Sequence, residues 1–324
     1  MTIKIQLYSA DAPDQTPELA EVSIKSLNSR QLLWIDLGSP TAEEQKQVAE
    51  LLGCKESLLR LQTAAHSRPE LVNYTSCFRI TANAVSLASA SAPLVREALT
   101  LVAGLNFVVT VHEAETDFLD KLRDREKGES TIGALSAEEF VASQLDWLLH
   151  TYFMALEVLV RDIDRIEVSI LSKELPDQIL PPLLTARQRI ADLRRLLKAH
   201  RDVFYGLARP DFMATEEAEV KNDYAALTRH FDRAEDDLEN ARDLVIGSFE
   251  LLSTRAMQKT NETMRALTFI TVLMGTLALV AGIMGMNFQV KFFETGMIGF
   301  ATVTGGMLLF STVAVLVAKK RCWI

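Results

Sequence analysis

Two uncharged runs near the C-terminus constrain this chain more than any other feature. Between Arg265 and Lys291 lie 25 residues, Ala266 to Val290, without a charged side chain. Between Glu294 and Lys319 lie 24 more, Thr295 to Ala318. A bilayer core of roughly 30 Å takes about 20 apolar helical residues. The runs therefore predict two membrane helices, about 266–287 and 296–318, inside a two-helix domain over 266–324. Their connection is short, so they form a hairpin with both ends on one side. Arg255, Lys259 and Arg265 precede the first run, Lys319, Lys320 and Arg321 follow the second, and only Lys291 is basic in the loop. The excess of positive charge at the ends places both termini in the cytoplasm. Two buried core helices of a soluble protein would also be uncharged, but their basic flanks would be unexplained.

The remaining chain is soluble in character. It carries most of the 34 Lys and Arg and the 43 Asp and Glu, for a net charge of −9. That balance argues against a nucleic-acid partner. The opening "MTIKIQLYSADAPDQ" has neither an apolar signal core nor an Arg-rich presequence, which predicts a cytosolic N-terminal domain. Cys54, Cys77 and Cys322 have no CxxC or paired spacing and read as isolated thiols rather than a disulfide framework or zinc site.

Over residues 1–130 the pattern predicts an α/β domain. "QLLWIDL" (31–37), "SCFRITANAV" (76–85), "REALTLVAG" (96–104) and "NFVVTVHE" (106–113) read as strands. "TAEEQKQVAELLG" (41–53) reads as a capped amphipathic helix ending at Gly53, with shorter helices at 55–64 and 115–125. Residues 131–213 predict a helical hairpin, 136–174 and 182–208, the first opened by a capping box from Ser136 to Glu139. "LPDQILPP" (175–182) punctuates the connection. The second helix carries Arg187, Arg189, Arg194, Arg195, Lys198 and Arg201, a basic run that either pairs with acids on neighbouring helices (Asp162, Asp164, Glu167) or forms a solvated face.

After Pro210 nothing interrupts a helix from about 215 to 286, which makes 214–265 a long stalk feeding the first membrane run. Val220, Tyr224, Leu227, Phe231, Ala234, Leu238, Ala241, Val245, Phe249 and Leu252 form an apolar seam at steps of three and four. A stalk so long has little to pack on alone, which points to an oligomer. The hairpin helices can also pack back along it.

A second stripe runs through the membrane segment. Asn261, Met264, Thr268, Thr271, Gly275, Ala278, Gly282 and Gly285 follow at steps of three and four, with the large apolar residues elsewhere. Small residues on one face have two readings: close packing against another helix, as the pair Ala278 and Gly282 would allow, or the lining of a pore.

No enzyme constellation is present. The sequence has no Walker loop, GxGxxG, HExxH or GxSxG. His66, His112, His150, His200 and His230 have no ligand spacing to one another, and the acid pairs Asp162/Asp164 and Asp232/Asp236 read as solvated faces before cation sites. These residues predict no bound cofactor.

The hairpin with "NETMRALT" (261–268), "GMNF" (285–288) and "KKRCWI" (319–324) resembles the CorA family of divalent-cation channels and transporters. "WIDLGSPTAEEQKQVAELLG" (34–53), "SRPELVNYTSCFRI" (67–80) and "FVVTVHE" (107–113) resemble that family's soluble segments in the same order. The resemblance implies a funnel-shaped homopentamer in the inner membrane of a bacterium, an α/β cytoplasmic domain in each copy, and five first spans around a pore. It implies that Gly285, Met286 and Asn287 form the outer selectivity site, with the Asn287 carbonyl meeting the metal ion. It assigns Asn261, Met264, Leu267, Thr268, Thr271, Gly275, Ala278 and Gly282 to pore lining and gate. The implied partners are other copies of the chain, the lipid bilayer and a transported divalent cation: magnesium first, then cobalt, nickel or zinc. The loop "FQVKFFET" (288–295) departs from the family, with Gln289 and Lys291 where acids are usual. That departure keeps two alternatives in view: a zinc transporter on the same fold, and a poorly conducting regulatory scaffold anchored in the membrane.

Overall fold

The computed structural model describes all residues except 1, 25–26, 29, 62–66, 114–116, 126–131, 173–177, 210–211, 213–217, 287–295 and 322–324. The chain divides into two compact units, Met1–Ser248 and Phe249–Ile324.

The first unit is built on a six-stranded sheet in the order β1-β2-β6-β5-β4-β3. Its strands are β1 (Thr2–Ser9), β2 (Gln31–Gly38), β3 (Glu70–Asn73), β4 (Cys77–Ser86), β5 (Val95–Gly104) and β6 (Phe107–His112). Only β2 and β6 run parallel, from Leu33 opposite Phe107 to Gly38 opposite His112. The four expected strands form within a residue or two of their predicted limits. β1 and β3 were not predicted. β1 does carry an alternating signal in "TIKIQLYS", whereas four-residue β3 is too short to show one.

β2 explains why both faces of the sheet are covered. Alternate side chains point to opposite faces. Leu33, Ile35 and Leu37 enter a core with Val48, Ala49 and Leu52 of helix α1 (Ala42–Leu52). Trp34 and Asp36 face the other way, where Phe140 of helix α3 (Ala137–Leu171) meets Trp34 edge-on at 5.3 Å. α1 starts on a capping box between Thr41 and Glu44 and ends at Gly53, whose φ of 61° is the left-handed cap that glycine takes without strain. α3 starts on the predicted Ser136–Glu139 box. Of the two shorter helices, α2 (Asp117–Arg125) forms, but at 55–64 the described residues make only a 3-10 turn over Glu56–Leu58.

The helix predicted at 182–208 is two, α4 (Leu180–Lys198) and α5 (Arg201–Leu207), with Pro181 and Pro182 inside the first turn of α4 rather than before it. The break has a cause in the sheet. β3 pairs only as far as Thr81 of β4, leaving the edge groups of Asn83 and Val85 without a strand. Side chains satisfy them. The Asn83 amide donates to His200 Nε2 at 2.9 Å, the Tyr152 hydroxyl donates to the Asn83 carbonyl at 3.0 Å, and the Val85 amide donates to Thr151 Oγ1 at 3.2 Å. His200 lies at the junction between α4 and α5, is fully buried, and bonds the Leu196 carbonyl through Nδ1 at 2.8 Å.

Helix α6 (Ala218–Met284) is continuous through 67 residues. Its seam from Val220 to Val245 is buried within the first unit. Phe231 stacks on Phe204 at 4.8 Å, and Tyr224 donates to the Glu138 carbonyl. That stretch therefore packs on its own chain, and the expectation of an oligomer loses its support from a bare stalk there. The basic run is split. Arg194 pairs with Glu239 of α6, whereas Asp162 pairs with Arg165 on its own helix and Glu167 accepts from Ser248. Cys54 and Cys77 are free thiols, and Cys322 lies outside the described residues.

Helix α7 (Gly296–Lys320) opens at Gly296, where φ is +58°. α7 and the C-terminal part of α6 are long and apolar enough to cross a membrane.

Candidate functional site

The second unit offers few groups that could act on anything, so their placement on the helix decides what they can do. The described residues of this unit are essentially α7 and the end of α6, and each helix shows one partly buried face. On α6 it is Ala266, Phe269, Leu273, Leu277 and Met284. On α7 it is Gly299, Val303, Met307, Ser311, Ala314 and the buried Ala318. On each helix these residues lie along one side.

The small-residue stripe is not on that face. At 3.6 residues per turn, Met264, Thr268, Thr271, Gly275, Ala278 and Gly282 centre about 180° from the line through Phe269, Leu273 and Leu277. All six are exposed, as are Asn261 and Leu267; Met264 and Leu267 are 61% and 63% exposed. The stripe therefore lies opposite the partly buried side of α6. A Cβ added to Gly275 or Gly282 would meet no atom within 4 Å. Thr271 turns its hydroxyl back to the Leu267 carbonyl at 2.9 Å, as helix-interior threonines do.

The stripe ends in a tightened turn. The Gly285 amide donates to the carbonyls of Ala281 and Gly282 at 3.0 and 3.2 Å, and the Met286 amide donates to Ile283 at 3.2 Å. Gly285 and Met286 are exposed and follow the last helical residue, Met284. Asn287, expected to meet the ion, lies outside the described residues, as do Gln289, Lys291 and Glu294.

The tryptophan–aspartate segment has a different role. Trp34 Nε1 donates to Thr110 at 2.9 Å. Asp36 takes His112 Nε2 at 2.9 Å on one oxygen and Arg123 at 2.5 Å on the other, and Arg123 lies over the Trp34 ring at 5.0 Å. Asp36, His112 and Arg123 are all buried. This paired network ties β2, β6 and α2 together; it is scaffold. Sequence reading put 115–125 on a short helix but did not single out Arg123, because its partner Asp36 stands 87 residues away in the chain.

Among the described residues no group of three His, Cys, Asp or Glu side chains could hold a metal ion. His230 bonds Asp146 at 2.7 Å and Asp232 accepts from Tyr205 at 2.8 Å. His66 lies outside the described residues. Burial holds the His200 imidazole well below its ordinary value, at about 4, so it is a neutral acceptor at neutral pH. Burial likewise raises the Cys54 thiol to about 11, which keeps it unreactive.

Comparison with known proteins places this arrangement. The family profile described as CorA-like Mg2+ transporter protein matches residues 29–320. The cobalt/magnesium transport protein CorA of Thermotoga maritima is 25% identical over 293 residues, covering 90% of this chain and 83% of its own. The divalent cation transporter CmaX of Pseudomonas aeruginosa is 24% identical over 271 residues, covering 82% of this chain and 80% of its own. The complete structure of the CorA magnesium transporter of Methanocaldococcus jannaschii superposes over the whole of both chains with a TM-score of 0.73 at 18% identity.

Proposed function

The chain belongs to the family of CorA-like Mg2+ transporter proteins, and from that premise we propose that it passes magnesium down its gradient through a membrane pore lined by α6. A divalent-cation transporter seated in a membrane, not an enzyme, is what the family establishes. The finer reading is a homopentamer in a bacterial inner membrane. The first unit and both termini lie in the cytoplasm, and five copies of the α6 stripe surround the pore. The observation that carries it is the stripe itself: small and weakly polar, exposed, opposite the partly buried side of α6, and ending at Gly285 and Met286 just before Asn287. Packing between copies and lining of a water-filled path are then the same placement, because a closed ring of α6 helices does both.

The chemistry suits magnesium. This ion dehydrates reluctantly and takes ordered oxygen partners. A ring of Asn287 carbonyls, with backbone oxygens of Gly285 and Met286 nearby, would hold it through its waters and still release it. Met264 and Leu267 would form an apolar constriction that closes by dewetting. The basic flanks Arg255, Lys259, Arg265, Lys319, Lys320 and Arg321 support the orientation.

Lys291 in the outer loop works against entry of any cation; with Gln289 and Lys291 where acids are usual in this loop, a zinc transporter on the same fold is the rival to test, and cobalt and nickel are secondary ions. Purified protein in liposomes, with an ion-sensitive dye inside, separates them. We expect magnesium influx without a proton gradient and a loss of about tenfold or more in Asn287→Ala, about 1.4 kcal/mol at the barrier. Zinc flux that follows an imposed proton gradient, without magnesium flux, would replace magnesium by zinc. No flux of any divalent ion would leave only the membrane-anchored scaffold.

A further inference from the structure

A groove of about 470 Å³ lies between α4 and α6, wholly within the first unit, and it takes no part in the transport reading. We propose that it binds a nucleoside polyphosphate, with the phosphates on its basic rim and the base on its apolar floor.

The rim is made by periodicity. Arg187, Arg194, Arg195 and Lys198 fall on one face of α4, and Arg242 faces them from α6. Five cations around one groove in a chain of net charge −9 repel one another, a cost that an anionic ligand removes. Internal acids offset only part of it. Glu239 is shared between Arg194 and Arg242, Asp192 pairs with Arg195 at 2.8 Å, and Asp243 stands 3.7 Å from Arg242. Arg187 and Lys198 have no ion pair among the described residues. Guanidinium groups match phosphate oxygens two at a time, and lysine adds a mobile point charge.

The floor is different. Ile190 and Val245 are nearly inaccessible beneath it, and Ile246, 41% exposed, extends it to solvent. An apolar floor inside a cationic rim is wrong for a metal ion and wasted on bare phosphate. It suits a planar base carrying a phosphate chain, and the volume is in the range of small-ligand sites. The sequence showed the α4 charges as a run; Arg242 and the floor become neighbours of that run only through the packing of α6.

The test uses purified full-length protein in detergent and equilibrium dialysis with labelled ATP, with and without magnesium, against inorganic triphosphate and adenosine. We expect saturable ATP binding, weakened by salt, and weakened about tenfold or more in the Arg187→Ala/Lys198→Ala double variant. Among the described residues neither makes an ion pair, so the fold should be kept; Arg187→Glu alone is the second variant and should act in the same direction. Ile246→Ser should weaken ATP but leave triphosphate unchanged. The proposal is overturned by absence of saturable binding at millimolar ATP, or by binding indifferent to the double variant. Triphosphate as tight as ATP refutes the nucleoside. Displacement of ATP by anionic lipid in nanodiscs, with retention in phosphatidylcholine alone, assigns the rim to a lipid headgroup instead. None of these outcomes depends on ion flux, so failure here is separable from failure of the transport reading.

Discussion

Acid should weaken this fold through His200, by an amount the structure sets. The imidazole is fully buried, accepts the Asn83 amide at Nε2 and meets the Leu196 carbonyl at Nδ1. Protonation would put a second donor against the Asn83 N–H and a charge into an apolar site. Burial accordingly lowers its value from 6.5 to about 4. Because the folded value is the lower one, stability is complete above pH 6.5, falls as the pH drops toward 4, and is level below that. The full difference corresponds to about 3 kcal/mol, and about 2 kcal/mol of it is lost by roughly pH 5. The perturbation is His200→Gln, whose amide oxygen can still accept from Asn83 but does not titrate. At neutral pH the variant should be less stable by about 1 kcal/mol, for the lost bond to Leu196. Between about pH 7.5 and pH 4.5 the gap should close and reverse. Urea unfolding followed by the fluorescence of buried Trp34 measures both curves, and their difference removes the titration of the carboxylates common to both. Parallel curves over that range would refute the reasoning, because they would mean that His200 does not carry the acid sensitivity.

Gly275→Met puts a long side chain into the open space beside the stripe; single-chain folding and expression should be unchanged while liposome flux falls at least about tenfold, since an apolar plug blocks a hydrated ion. Arg123→Met leaves Asp36 buried with His112 as its one remaining partner among the described residues and should cost about 3–5 kcal/mol in thermal or denaturant unfolding. Gly104→Ala forces a methyl onto the Phe107 ring across the β5–β6 turn and should destabilise by about 1–3 kcal/mol, read as a lower midpoint with an unchanged denaturant slope.

Sequence alone determined what depends on local chemistry and periodicity. The two uncharged runs declared themselves by length. The boxes at Thr41 and Ser136 set helix starts to the residue, because capping is a contact between residues three apart. The small-residue stripe was legible for the same reason, and so were the strands rich in β-branched residues. What the stripe faces was not legible: a stripe has a direction only relative to a partner, and only the burial of Phe269, Leu273 and Leu277 fixed it. The division of 182–208 into α4 and α5 was likewise hidden, because its cause is an unpaired edge of β4 more than a hundred residues away in the chain. The seam of α6 could be read as a surface for other copies of the chain or for the upstream hairpin helices; from Val220 to Val245 it is filled by α3, α4 and α5, since apolar periodicity does not say which helix will bury it. The grouping of Asp36, His112 and Arg123 follows the same logic: three charged or titratable residues, unremarkable where they stand, that share one buried place only because β2 and β6 are neighbours and α2 folds back over them.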